Sequence, residues 1–242
     1  MKSRSQKSTG DSGNQGFHNN NFELARGRLT RGSTYKDLST VCLVPTRGLI
    51  HAKVVQSWMG LMTAMNQKFY RHFIVGDEVA KAYNDGIAMI LANNDLSKWK
   101  YVLTLEEDNT PPPDGLLKLY EGMAKFDAVG GLYWTKGEGG QPMIYGNTKE
   151  MPRNFVPQLP IPEALQECCG LGMGFTLFKL DMFKKIPAPW FRTLQEFAPG
   201  QGTRACTQDL YFFQEAAKFG YRFACNTACK VGHYDADNDI CW

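Results

Sequence analysis

Residues 98–114, Lys-Trp-Lys-Tyr-Val-Leu-Thr-Leu-Glu-Glu-Asp-Asn-Thr-Pro-Pro-Pro-Asp, constrain the fold more than any other stretch. Tyr101 to Leu105 is apolar and β-prone and reads as a buried strand. It runs straight into Glu106, Glu107 and Asp108, which cannot stay unpaired in a core. The carboxylates therefore belong at the strand's carboxyl end. Three prolines stop the strand, and Asp114 is placed to cap a helix carrying Leu116, Leu117, Tyr120 and Met123. In an open α/β sheet that edge is where ligands bind. A carboxylate cluster there suits a hard divalent cation carrying a phosphorylated ligand. The competing reading of these three residues is a solvated acidic turn.

The stretches before it follow the same pattern. Ser39 to Pro45 predicts a first strand, with Thr46-Arg47-Gly48 as its turn. A helix follows, with Val54, Val55, Trp58, Leu61, Met62 and Met65 along one face, a core stripe. Tyr70 to Val75 predicts a second strand ending at Gly76-Asp77-Glu78, and the next helix buries Val79, Tyr83, Ile87, Ile90 and Leu91. This β-α-β-α-β order implies parallel strands joined by right-handed crossovers. Thr46-Arg47, Asp77-Glu78 and Glu106-Glu107-Asp108 then converge on one edge of the sheet.

Beyond residue 125 the alternation fails. Asp127 to Trp134 predicts a fourth strand, and residues 135–165 read as loop with a short strand at Met143-Ile144-Tyr145. Gly170 to Phe178 returns to strand character, its glycines, Gly172 among them, allowing close backbone approach to a ligand or strand. Residues 187–206 read as a long loop of the kind that forms lids, with Pro199-Gly200-Gln201-Gly202 inside it. Thr207 to Gly220 predicts a helix capped by Thr207, facing inward with Leu210, Phe213 and Ala217, and stopped by Gly220. Tyr221–Cys225 and Ala228–Val231 read as two short strands, followed by Gly232-His233-Tyr234-Asp235.

Composition limits the class. The chain has 242 residues, 43% hydrophobic and 21% charged, which supplies ample core material. A net charge of +3 is too small to point to nucleic acid. Residues 1–35, rich in Ser, Gly, Asn and Gln with scattered Lys and Arg, predict a disordered tail ahead of one domain over 36–242. No apolar run approaches a membrane span. Seven cysteines without regular spacing fit a reducing, cytoplasmic setting.

Two sites stand out chemically. Asp108 with His233, and Glu106 as a third group, form a plausible Mn²⁺ or Mg²⁺ set, with the imidazole shifting preference toward Mn²⁺. Asp209 falls in the first turn of its helix, where the macrodipole favours an ionised carboxylate, as a general base needs. A capping aspartate suits the same position. Cys225, Cys229, His233 and Cys241 lack the spacing of a common structural zinc site.

Several motifs together resemble GT-A-fold glycosyltransferases, closest in pattern to the family 2 type, over residues 39 to 235. Val44-Pro45-Thr46-Arg47 resembles the nucleotide-binding first loop. Ala82-Tyr83-Asn84-Asp85-Gly86 resembles the Ala-Arg-Asn-x-Gly helix, with Tyr83 replacing Arg. Glu106-Glu107-Asp108 resembles Asp-x-Asp, with Glu106 replacing the first Asp. Gln208-Asp209 resembles the Glu-Asp segment that supplies the acceptor-activating aspartate, with Gln208 replacing Glu. Val231-Gly232-His233 resembles the late metal-binding His.

The resemblance implies a GT-A, Rossmann-like mixed α/β sheet flanked by helices and a metal-dependent transfer from a nucleotide sugar, a UDP-sugar for preference. It implies donor contacts from Thr46, Arg47, Asp77, Asn84, Glu107 and Gly172, metal contacts from Asp108, His233 and Glu106, and catalysis by Asp209. The acceptor is left open among a saccharide, a protein and a modified DNA base. Two other readings compete, a nucleotidyltransferase of similar fold and a non-catalytic sugar- or nucleic-acid-binding module. The first would prefer a Gly-rich basic loop after the first strand, and Thr46-Arg47-Gly48 carries only one glycine and one arginine.

Overall fold

The computed structural model describes residues 36–198 and 202–242, with side chains outside 196–205. The tail predicted over 1–35 and the segment 199–201 lie outside the described residues. The fold is that of Leu38–Trp242.

In chain order, β1 (Thr40–Thr46) is followed by α1 (Ala52–Gly60), β2 (Phe69–Val75), α2 (Val79–Ala92), β3 (Tyr101–Leu105), β4 (Asn109–Thr110) and α3 (Gly115–Gly122). Next come β5 (Ala128–Leu132), β6 (Ile144–Tyr145), β7 (Leu165–Cys168), β8 (Gly170–Leu171), β9 (Phe175–Lys179) and α4 (Leu180–Lys185). The chain closes with β10 (Leu194–Ala198), β11 (Gly202–Cys206), α5 (Gln208–Lys218), β12 (Phe223–Lys230), β13 (Gly232–Asp235) and β14 (Ile240–Cys241).

The main sheet has seven strands in the order β2-β1-β3-β9-β5-β12-β7. β1 is parallel to both β2 and β3, as the alternating pattern requires. β9 runs antiparallel between β3 and β5, so those two strands point the same way. β12 continues that direction beside β5, and β7 closes the far side antiparallel to it. The antiparallel insertion of β9 is invisible in the sequence, because its burial pattern is the same whichever way the strand points.

Both faces of the sheet are covered, and strand periodicity sorts the core accordingly. On one face Val41, Leu43, Val102 and Phe178 pack with Tyr83, Ile87 and Ile90 of α2 and Phe212 and Phe213 of α5. On the other, Cys42, Val44, Leu103 and Leu177 pack with Val54 and Trp58 of α1 and Leu116 and Leu119 of α3. Phe212 is stacked on Phe183 and on Phe191 at centroid separations of 5.2 and 5.0 Å, and meets Phe178 edge-on at 5.4 Å.

Several elements differ from the sequence expectation. α1 stops at Gly60, and Met62 and Met65 are exposed rather than part of its stripe. The backbone leaves the helix there because Met62 N–H donates to the Pro113 carbonyl instead. The strand expected over 170–178 splits, with β8 pairing β6 and β9 entering the main sheet. The two strands expected over 221–231 are one strand, β12, with an irregular register between Asn226 and Lys230. α5 turns inward with Asp209, Phe212, Phe213 and Ala216, so of the expected inward set Phe213 is buried while Leu210 and Ala217 are only partly so. Gly220, at φ +80°, follows its end as expected. The expected 187–206 loop contains the antiparallel β10–β11 pair.

Candidate functional site

The parallel strands deliver polar groups to one rim. β1 ends in Thr46 and leads to Arg47, β2 leads to Asp77, and β3 runs into Glu106, Glu107 and Asp108. These six residues line an open cavity of about 500 Å³ together with Lys136, from the loop after β5, and Gln208, the first residue of α5. His233 reaches the same place on β13, which follows β12 and pairs with β4.

Glu107 organises the first loop. Its carboxylate accepts hydrogen bonds from the Thr46 hydroxyl at 2.7 Å and the Arg47 backbone N–H at 2.8 Å, and it is ion-paired with the Arg47 guanidinium. Partial burial pushes its pKa up, but these donors outweigh burial and hold it below the usual glutamate value. Glu107 therefore ties the end of β1 to the end of β3 and aims Arg47. Arg47 is otherwise almost fully solvent-exposed.

Asp108 is the centre of charge. Its Oδ2 accepts from Lys136 Nζ at 2.6 Å and lies 3.4 Å from His233 Nε2. Burial opposes ionisation, but His233 and Lys136 more than offset it and bring the pKa down to about 2. His233 Nδ1 is 2.8 Å from the Trp134 carbonyl. A carbonyl only accepts, so Nδ1 carries a hydrogen, and Nε2 is the nitrogen turned toward Asp108.

Glu106 behaves differently from its neighbours. Burial, and then the charges of Asp108 and Asp209, raise its pKa to about 8, so it is largely protonated at neutral pH. The Tyr83 hydroxyl donates to it at 3.2 Å. Tyr83 thus occupies the place of the arginine in the helix motif and meets a carboxyl group that is mostly uncharged.

Asp209 is buried at the start of α5. One carboxylate oxygen accepts the Leu210 N–H at 2.8 Å and the Thr207 hydroxyl. Thr207 holds the N-cap position, yet its side chain makes no cap hydrogen bond and serves Asp209 instead. Burial raises the Asp209 pKa on balance, despite the hydrogen bonds it accepts. Desolvation of the buried carboxylate outweighs the hydrogen bonds it accepts at the helix start.

Two expected donor contacts are placed elsewhere. Asn84 spends its amide on backbone: Nδ2 donates to Ala80 and Phe191 carbonyls, and Oδ1 accepts from Trp190 and Phe191 N–H groups. It pins the 190–191 segment to α2 and lies outside the cavity lining. Gly172 is enclosed, and a Cβ there would sit 2.1 Å from the Tyr133 hydroxyl. Its missing side chain accommodates Tyr133, not a ligand. Tyr133 in turn accepts the Gly174 N–H at 2.8 Å.

Lys136 is the group that sequence reading passed over. The rule that singled out the ends of β1, β2 and β3 applies equally to the loop after β5, and would have found it.

Asp108 Oδ2 and His233 Nε2, 3.4 Å apart, are donors of the kinds that would hold a divalent cation such as Mn²⁺ or Mg²⁺. Among the described residues, no group of three or more His, Cys, Asp or Glu side chains could hold a metal ion. Glu106 lines the cavity without joining that pair as a third ligand. An ion there would draw its remaining ligands from water and phosphate oxygens, as Mg²⁺ sites commonly do.

The sheet order and the antiparallel β9 define the class: a Rossmann-like mixed sheet flanked by helices. No protein-family model and no curated protein matches the sequence. Among solved structures, the chain is similar to A197 from STIV, with a TM-score of 0.58, 18% identity, and coverage of 84% of this chain and 92% of that one. Weaker likenesses include S. aureus TarS 1–349 in complex with UDP-GlcNAc, at TM-score 0.44 and 8% identity over 80% of this chain and 57% of that one. A 4-diphosphocytidyl-2C-methyl-D-erythritol synthase matches at TM-score 0.41 and 12% identity, over 84% of this chain and 92% of that one. No helix among the described residues is long and apolar enough to cross a membrane.

Proposed function

We propose that this chain is a metal-dependent glycosyltransferase that takes a sugar from a nucleotide sugar, a UDP-sugar for preference, and passes it to a hydroxyl acceptor. The observation that carries the reading is Asp108, which follows β3, lines a cavity with Thr46, Arg47 and Asp77, and lies 3.4 Å from His233. The charge balance points the same way. Of the described lining side chains, Arg47 and Lys136 are outnumbered by Asp77, Glu107 and Asp108, while Glu106 is mostly neutral. A diphosphate entering alone would meet net negative charge.

A Mn²⁺ or Mg²⁺ ion held by Asp108 and His233 would supply the charge that makes a nucleoside diphosphate a competent leaving group. Arg47, aimed by Glu107, is placed to donate to phosphate oxygens. Thr46 and Asp77 lie where base or ribose hydroxyls can be met. Asp209 is assigned the acceptor proton, and its raised pKa improves it as a base once it is ionised.

The test is thermal stabilisation by a panel of UDP-, CDP- and GDP-sugars, with and without Mn²⁺, on wild type and Asp108→Asn. The expected result is stabilisation by one donor class that requires Mn²⁺ and is lost in Asp108→Asn, with the metal-free melting temperature little changed. Stabilisation of equal size in Asp108→Asn would remove the metal role of Asp108. Stabilisation of wild type followed by no donor hydrolysis would favour a binding module over an enzyme.

A further inference from the structure

Lys136 and the metal compete for one oxygen. Its ammonium lies 2.6 Å from Asp108 Oδ2, the same oxygen that faces His233 Nε2 at 3.4 Å. A divalent ion bound through that oxygen would leave two like charges within a few ångströms in a partly buried place, where repulsion is weakly screened. Both cannot hold the oxygen together.

We propose that Lys136 is a resident counter-ion that closes the Asp108 metal site until a nucleoside diphosphate draws it away, so that metal and nucleotide bind cooperatively. The inference rests on the metal and nucleotide reading of this cavity. Three features of the site support it. Lys136 lines the cavity itself, so a diphosphate there lies within reach of its flexible, strongly hydrated head group. Its side chain is one-third exposed, which leaves it free to swing. The acceptor it leaves is not stranded, because Asp108 passes from the ammonium to the metal. By linkage, whatever factor the diphosphate adds to metal affinity, the metal adds to diphosphate affinity.

The same loop also fixes the other ligand. Trp134, two residues before Lys136, supplies the carbonyl that orients His233. One segment therefore holds the imidazole in its metal-binding orientation and blocks the neighbouring carboxylate.

The test is Mn²⁺ binding to the full chain, followed by the EPR signal of free Mn²⁺, with and without UDP, in wild type, Lys136→Met and Lys136→Arg. Wild type should bind Mn²⁺ weakly alone and more tightly with UDP. Lys136→Met should bind Mn²⁺ alone about tenfold more tightly than wild type, with a smaller gain on adding UDP, the size of a typical coupling. Lys136→Arg, which keeps the charge, should stay near wild type. Equal Mn²⁺ affinity in wild type and Lys136→Met overturns the counter-ion role while leaving the metal site standing. Absence of Mn²⁺ binding in all three proteins, with UDP present, removes the metal site and this proposal with it. A melting curve for each variant confirms that the protein measured is folded.

Discussion

Asp209 shows how two local influences can oppose each other on a single side chain. Its position in the first turn of α5 favours the ionised form, whereas its burial disfavours it, and burial prevails. If Asp209 takes the acceptor's proton, it must be ionised. The rate should then rise with pH along a limb lying above the ordinary aspartate range and level off beyond it. Asp209→Asn should lower transfer by about two to four orders of magnitude, the usual contribution of a positioned base. Donor and metal binding should survive. The stability sign runs the other way. A folded-state pKa raised above the unfolded value gives a contribution that is complete below the unfolded value and is lost as pH rises through the folded one. Asp209→Asn should therefore match or exceed wild-type stability at neutral pH. Near-normal turnover in that variant on its true acceptor would leave Asp209 a structural group.

At the scale of elements, α2 and the segment before β10 are joined by one amide. Asn84 meets two N–H groups and a carbonyl of residues 190–191 while also bonding Ala80 within its own helix. Asn84→Ala would leave those partly buried backbone groups unpaired, at a cost of about 1–3 kcal/mol. The expected outcome is a lowered denaturation midpoint with UDP affinity, measured on the folded protein in Mn²⁺, within a few-fold of wild type. A loss of UDP binding without loss of stability would return Asn84 to the donor site that its motif suggested. The sequence could place Asn84 on the helix face, but the partner of its amide lies more than a hundred residues away, and no local pattern announces it.

Across the whole molecule, the aromatic contacts of Phe212 link α5, α4, β9 and the 190–191 segment. Phe212→Ala should cost about 3–5 kcal/mol, because the surrounding rings cannot collapse into the space it leaves. Chemical denaturation would show this as a shifted midpoint, and a loss under about 1 kcal/mol would mean that the stack is loosely packed. The parallel start of the sheet was legible in the sequence, since hydrophobic strands ending abruptly in Thr46-Arg47, Asp77 and Glu106-Glu107-Asp108 can satisfy their charges only at one edge. The gathering of Asp108 and His233 was foreshadowed by that same rule. What the sequence left undetermined was direction and distance. Strand β9 is equally apolar whether parallel or antiparallel, Gly172 reads as open space until Tyr133 fills it, and Lys136 is one lysine among many until the β5 loop brings it to Asp108. By itself the sequence determined which segments form the buried parallel strands and which strand ends are polar, because periodicity and charge act locally. Only the tertiary structure decided which charged groups face each other, because pairing depends on positions that the chain brings together from far apart.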